Sequence, residues 1–313
     1  MRKVILIFIS LSIFVGVLYF SISKYSKEEL VLHNVQKDEW DKKQHIPWGR
    51  NIVGNSKSVE VDKKIKVAIL DSGINKNHKD LEGKVVKEFS SIGSSFSNED
   101  NLGHGTAIAG IITANDNKFG VIGVTQSVEV YSAKVIKDDG KIDKKDFING
   151  LEWAISQNVD VINLSLGFQS DFPELRSLIA DALNKGIILI AASGNTYGLN
   201  AQFPARYDDV ISVGMINEEK ESTKFSAIGK IDFVGPGENI LSLNNTGGYS
   251  YNEGSSYSTA YVTGVVAEYL SKQNLNKDKS IQLKVYEYLK KSSVKVSGDK
   301  NTVGYGLPTI QNM

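Results

Sequence analysis

The chain of 313 residues contains no cysteine. Thiol catalysis, disulfide staples and cysteine-based zinc sites are therefore excluded. Net charge is also missing: 36 basic side chains balance 36 acidic ones, and no basic block of useful length occurs. Nothing offers a polyanion an electrostatic footprint, so no nucleic-acid partner is expected. Histidine is scarce, at positions 33, 45, 78 and 104 only. Five prolines and 28 glycines suit an ordinary globular domain, and hydrophobic residues at 41% suffice for one large core or two small ones. There is no internal repeat, low-complexity tract or second-domain linker.

One long apolar run is present. Arg2-Lys3 precede "VILIFISLSIFVGVLYFSI", Val4 to Ile22, which holds no charge. A signal-peptide core has about 7–15 apolar residues and a membrane span about 20. The run is nearer the second, and Ser21-Ile22-Ser23 offers a weak small-x-small cleavage site. Residues 1–23 thus read as an N-terminal membrane anchor or a cleaved signal peptide. Either places the chain from about residue 24 onward outside the cytoplasm, secreted or held on the outer membrane face. Residues 24–43 are polar and charged and form a linker, which leaves 44–313 for the folded domain.

From Ile65 onward, short β-branched runs alternate with helical patterns. The runs are 65–70, 128–136, 159–166, 186–193, 210–216, 231–235 and 240–243. Helices are expected at 106–114, 145–157, 173–184, 256–272 and 278–291, the last with an acidic first turn and a basic last turn. Such alternation specifies an α/β domain with a parallel sheet covered on both faces. In such sheets chemistry gathers at the carboxyl ends of the strands.

Those ends carry candidates. Asp71-Ser72-Gly73 closes the first run, and a carboxylate there is a turn former or a catalytic group. "NLGHGTAIAG" (101–110) sets His104 between glycines at a helix start, where a substrate could approach the imidazole closely. "AASGN" ends in Asn195, a turn residue or an outward-facing amide donor. "EGSSYSTAYVTG" crowds hydroxyls at a helix start, where a serine is a cap or a nucleophile favoured by the helix N–H groups. Together they supply the carboxylate, base, oxyanion donor and hydroxyl of Ser-His-Asp acyl transfer, in the order Asp, His, Ser.

Here a resemblance enters. "VAILDSGI", "GHGTAIAG", "NGLEWAISQNVDVINLSLG" (149–167), "AASGN" and "GSSYSTAYVTG" resemble the ordered motifs of the subtilases, the subtilisin-like serine proteases, from about Gln44 to Ile310. The resemblance implies a three-layer fold with a mostly parallel seven-stranded sheet flanked by helices. It implies Ser256 as nucleophile, His104 as base, Asp71 as the carboxylate orienting it and Asn195 as oxyanion donor. Ser255 would supply an accessory hydroxyl, Gly254 would leave room for the scissile carbonyl, and Ser258 and Thr259 would be helix-packing positions.

Two segments, Gly140-Lys141-Ile142 and Ser165-Leu166-Gly167, would grip an extended peptide or protein substrate through backbone pairing. The first lies among Asp138, Asp139, Asp143, Asp146 and Lys137, Lys141, Lys144, Lys145, an acidic wall or a mixed-charge solvated surface. The resemblance also implies structural Ca2+ at Gln44, Asp80 and Asn117, with carbonyls of Asn115, Phe119 and Val121, a set suited to a hard cation.

The sequence departs from the family in places. Glu253 stands where Asn is expected and would tune specificity or lower activity; Ala260-Tyr261 replace Pro-His. The stretch 24–43 is too short for the folding pro-domain of several dozen residues, so unaided or assisted folding is expected. The expected function is an exported serine endopeptidase, either a dedicated processor of one peptide, such as a bacteriocin leader, or a broad degradative enzyme. A catalytically silent peptide-binding module is the alternative class. The chain is expected to act as a monomer, touching a membrane only through an uncleaved N-terminal segment.

Overall fold

A computed structural model of the chain describes residues 42–54, 63–93 and 98–310. The anchor or signal segment and the linker up to residue 41 lie outside the described residues. Among the described residues, no helix is long and apolar enough to cross a membrane.

The β-branched runs form strands β1 (Ile65–Asp71), β3 (Val128–Lys134), β4 (Val161–Leu164), β5 (Ile188–Ala192), β6 (Ile211–Ile216) and β7 (Phe233–Pro236). With β2 (Val85–Ser90) they make one seven-stranded sheet in the order β2-β3-β1-β4-β5-β6-β7. Every neighbouring pair runs parallel. Among the described residues the α-helices are α1 (Trp48–Val53), α2 (His104–Thr113), α3 (Lys144–Ser156), α4 (Pro173–Asn184), α5 (Ser255–Ser271), α6 (Ile281–Ser292) and α7 (Lys300–Val303).

Strand side chains alternate between two faces, and here both faces are buried. Val67 and Ile69 of β1 join a core with α2, α5 and α6, while Ala68 and Leu70 join a second core with α3 and α4. Ile188 and Ile190 of β5 divide from Leu189 and Ala191 in the same way. That is why these strands read as continuous apolar runs. Helix α5 is buried on nearly all sides, with Tyr261 and Val265 at 1% and 0% exposure. Each such side chain contributes about 1.5–3 kcal/mol of burial, so α5 is an axle of the domain.

Chain order reverses beside β1: the sheet grows from β1 toward β3 and β2 on one side, and toward β4 to β7 on the other. Ligands of open α/β sheets bind at the carboxyl ends where the order reverses. Asp71 ends β1, and Ser165 directly follows β4.

Three local expectations change. Strand 240–243 (β8) forms, but pairs antiparallel with β9 (Tyr249–Asn252) as a separate hairpin. Edge strand β2 was not expected; its central residues Val86, Lys87 and Glu88 are exposed, so no apolar alternation marks it. Helix α6 starts at Ile281 and has no acidic residue in its first turn, although Lys290 and Lys291 close it. Asp278 lies before the helix and accepts from Ser280 N at 2.8 Å, which shapes a turn.

Candidate active site

At the end of β1 the chain turns through Gly73, whose φ is +103°. A Cβ on Gly105 would lie 2.1 Å from the Gly73 carbonyl oxygen, so only glycine lets the start of α2 dock on this turn. Docking brings His104 Nδ1 to 2.7 Å from Asp71 Oδ1. The same oxygen accepts from Ser72 N at 2.7 Å. Asp71 is 1% exposed and its Oδ2 is buried with no hydrogen-bond partner among the described residues.

A carboxylate on Nδ1 holds the proton there and leaves Nε2 as the basic nitrogen. Burial pulls the imidazole pKa down, but the Asp71 charge, its hydrogen bond and the Asp100 charge outweigh this, and the net shift is upward from 6.5. The Tyr257 ring packs edge-on against the imidazole at 5.3 Å. The first turn of α5 therefore lies beside His104.

That turn carries the crowded hydroxyls, and each has a distinct partner. Ser258 Oγ donates to the carbonyls of Gly235 and Pro236, both at 3.0 Å, and Thr259 Oγ1 to Ser255 O at 2.8 Å. Both are buried packing positions, as expected. Ser255 Oγ accepts from Gly194 N at 3.1 Å and donates to Asn195 Oδ1 at 3.1 Å. Its hydroxyl thus orients the amide expected as the oxyanion donor. Asn195 Oδ1 also accepts from Ser255 N at 2.9 Å. With the oxygen pinned, the amide nitrogen lies over Gly254, where a Cβ would come within 2.8 Å of Nδ2. Ser256 is half-buried, and its hydroxyl donates to Ser165 O at 2.9 Å rather than to the imidazole.

A paired imidazole and carboxylate, a pinned amide and a serine at a helix start share one end of the sheet. A model of the subtilase family matches residues 62–306. The chain belongs to the subtilase family. Relatives include subtilisin amylosacchariticus of Bacillus subtilis subsp. amylosacchariticus, 39% identical over 215 residues, 66% of this chain and 56% of that protein. Subtilisin BL of Lederbergia lenta is 34% identical over 276 residues, 84% of this chain and 97% of that one. The minor extracellular protease Epr of Bacillus subtilis (strain 168) is 34% identical over 249 residues, 78% of this chain and 38% of that one. This subtilase spans about half the length of several curated relatives, 56% for the first of these.

Of the expected substrate segments, 165–167 touches the site through the Ser165 carbonyl, which accepts from the Ser256 hydroxyl. Ser165 and Leu166 are buried and Gly167 half-buried just beyond β4. Gly140 and Lys141 are exposed in a turn closed by Lys137 N to Lys141 O at 2.9 Å, with Ile142 half-buried after it. The nearby charges neutralise each other: Lys137 pairs with Asp143 and Asp146, Lys141 with Asp139, and Lys134 with Asp138. The subtilase thus has a mixed-charge surface there, and no uniform acidic wall. Glu253 is exposed, and Ala260 and Tyr261 are buried inside α5.

The proposed calcium residues also meet. Asp80 is wholly buried, and accepts from Asn117 Nδ2 at 2.9 Å, Val121 N at 3.2 Å and Tyr249 Oη at 3.0 Å. Gln44 Nε2 donates to Asn115 O at 2.8 Å, and Asn117 Oδ1 accepts from Phe119 N at 3.3 Å. Burial raises the Asp80 pKa despite those hydrogen bonds. An under-compensated carboxylate among amides and carbonyls fits a hard cation. Among the described residues no group of three or more His, Cys, Asp or Glu could hold a metal. The fit therefore rests on one carboxylate plus neutral oxygens.

Two residues escaped sequence reasoning. Gln202 fills the wedge between Gly167 and the Gly194-Asn195 turn: Cβ atoms on Gly167 and Gly194 would lie 2.7 and 2.6 Å from its Oε1. Asp100 supports the start of α2 through both carboxylate oxygens. Neither sits in a pattern that sequence spacing reveals.

Proposed function

We propose that this subtilase is a serine endopeptidase that cleaves extended peptides outside the cytoplasm through an acyl-enzyme. The observation that carries this is the 2.7 Å Asp71–His104 pair beside the helix start that bears Ser256. The Ser256 hydroxyl leaves the Ser165 carbonyl, passes its proton to His104 Nε2 and attacks the peptide carbonyl. Asp71 holds the imidazole and stabilises the imidazolium, which then protonates the leaving amine. Asn195 Nδ2 and Ser256 N hold the oxyanion. Segments 140–142 and 165–167 take the peptide backbone, so recognition reads "peptide" before it reads side chains. A relative named an extracellular protease supports the exported reading. The direct test is labelling by a fluorophosphonate, lost in Ser256→Ala; an unlabelled native chain would favour the silent peptide-binding alternative.

Asn195→Ala is expected to lower turnover about 100–1,000-fold with KM little changed, because the amide meets charge that exists only in the transition state. The magnitude comes from subtilisin, a relative, and steady-state kinetics on a peptide amide would measure it.

The base must be neutral, and the His104 pKa lies above 6.5. Activity is therefore expected to rise with pH, with the kcat/KM midpoint above 6.5. The protonated pair stabilises the fold fully below the unfolded pKa, and that contribution is lost as pH rises through the folded pKa. Activity thus appears as this stabilisation fades. A flat profile from pH about 6 to 9 would exclude His104 as the base.

Gln44, Asp80 and Asn117, with the carbonyls of Asn115, Phe119 and Val121, would hold Ca2+ as a structural ion. It would neutralise Asp80 and brace the loop after α2, with no part in bond breaking. A chelator is expected to lower Tm, since an ion at 100 times its Kd contributes about 2.7 kcal/mol. An unchanged Tm removes the proposal.

A further inference from the structure

Asp100 is a buried carboxylate, 6% exposed, that the mechanism above does not use. Its two oxygens do different things. Oδ2 accepts from Thr106 N at 2.8 Å and Thr106 Oγ1 at 2.6 Å, as an N-terminal helix cap does. Oδ1 accepts from Gly103 N at 2.7 Å, Leu102 N at 3.2 Å and the Ser72 hydroxyl at 2.7 Å. Gly103 precedes His104, and Ser72 follows Asp71. A single oxygen therefore ties together the two chain segments that bear the imidazole and its carboxylate.

The Ser72 hydroxyl has one proton to give. It lies 2.7 Å from Asp100 Oδ1 and 3.2 Å from Asp71 Oδ1, and it accepts from Gly105 N at 3.0 Å. The shorter bond takes the proton, which leaves Asp71 Oδ1 to Ser72 N and the imidazole. A cap needs only Oδ2; the tie through Ser72 needs Oδ1.

We propose that Asp100 is a positioning residue for the Asp71–His104 pair, fixing the distance between them through Ser72 and Gly103 and placing a second negative charge behind the imidazole. The proposal rests on the protease reading for its kinetic consequences, while its geometry stands apart from it. The groups facing His104 are Asp71 from β1, Asp100 from the preceding loop and the Tyr257 phenol from α5. Burial raises the phenol pKa, so it stays neutral. Asp71 and Asp100 are the charges that raise the affinity of the imidazole for its proton.

The test is NMR titration of the histidine rings in the full chain; with four histidines, a His104→Gln variant assigns the signal. Asp100→Asn is expected to lower the His104 midpoint by about half a pH unit or more and to cut kcat about tenfold with KM held. Thr106→Val removes the hydroxyl bond to Oδ2, keeps that from the residue 106 N–H and spares Oδ1; it should lower Tm without moving the midpoint. Ser72→Ala cuts the tie and leaves the cap; the His104 Nδ1 proton should then exchange faster with solvent, and this variant decides the matter if Asp100→Asn does not fold. An unmoved midpoint in Asp100→Asn, an equal shift in Thr106→Val, or an unchanged exchange rate in Ser72→Ala overturns the proposal. The titration reads the imidazole directly, so it remains decisive even if Ser256 resists labelling and the protease reading falls.

Discussion

Replacing Ser256 by alanine is expected to lower turnover about a millionfold, the scale of the same deletion in subtilisin, while leaving the fold in place. The hydroxyl partners at the start of α5 explain why this serine and no neighbour should give that result. Ser255 holds Asn195, Ser258 holds the carbonyls that end β7, and Thr259 holds the first turn of the helix. Those three hydroxyls are committed to structure and wholly buried. Ser256 is half-buried, and among the described residues its hydroxyl makes one bond, to Ser165 O. Losing one such hydrogen bond costs about 1 kcal/mol, so the variant should melt close to the native chain. Residual hydrolysis would come from Asn195 and substrate positioning. Near-native turnover in Ser256→Ala, or labelling that moves to another serine, would end the assignment of the nucleophile.

The sequence made the layers legible because both faces of the sheet are covered. Runs such as 65–70 and 186–193 are apolar at nearly every position, and the alternating helices fit a parallel sheet. Edge strand β2 was illegible for the converse reason: Lys87 and Glu88 face water, so its pattern matches a loop. Helix α6 was placed too early because Asp278 looks like a first-turn acid; its carboxylate is spent on Ser280 instead. At the site, residues adjacent in a motif were readable. His104 shows itself by its glycines; the hydroxyl cluster marks the helix start, and the resemblance to the subtilases is what singles out Ser256 within it. Asp100 reaches the Ser72 hydroxyl 28 positions away, and Gln202 meets Gly167, contacts that only folding makes. Only the fold shows that the Ser255 hydroxyl meets the Asn195 amide oxygen.

Asp71→Asn should cost about ten-thousandfold in turnover, less than Ser256→Ala and more than Asn195→Ala. Size is not the cause, because an amide fits the same space. Asp71 is 1% exposed, and its Oδ2 is buried without a hydrogen-bond partner among the described residues. The charge of the carboxylate is therefore weakly compensated by hydrogen bonds, and it is strongly available to an imidazolium 2.7 Å away. An amide removes that charge and places an N–H₂ group in the pair, which can turn the imidazole to the wrong tautomer. The raised His104 pKa would fall with it, since Asp71 is the largest influence raising it. The acid limb of kcat/KM should accordingly move to lower pH even as the plateau collapses. A fall in rate alone could reflect a shifted helix, but a fall joined to that displacement identifies the lost charge. An Asp71→Asn chain with an unmoved acid limb would mean that the carboxylate and the imidazole do not act as a pair.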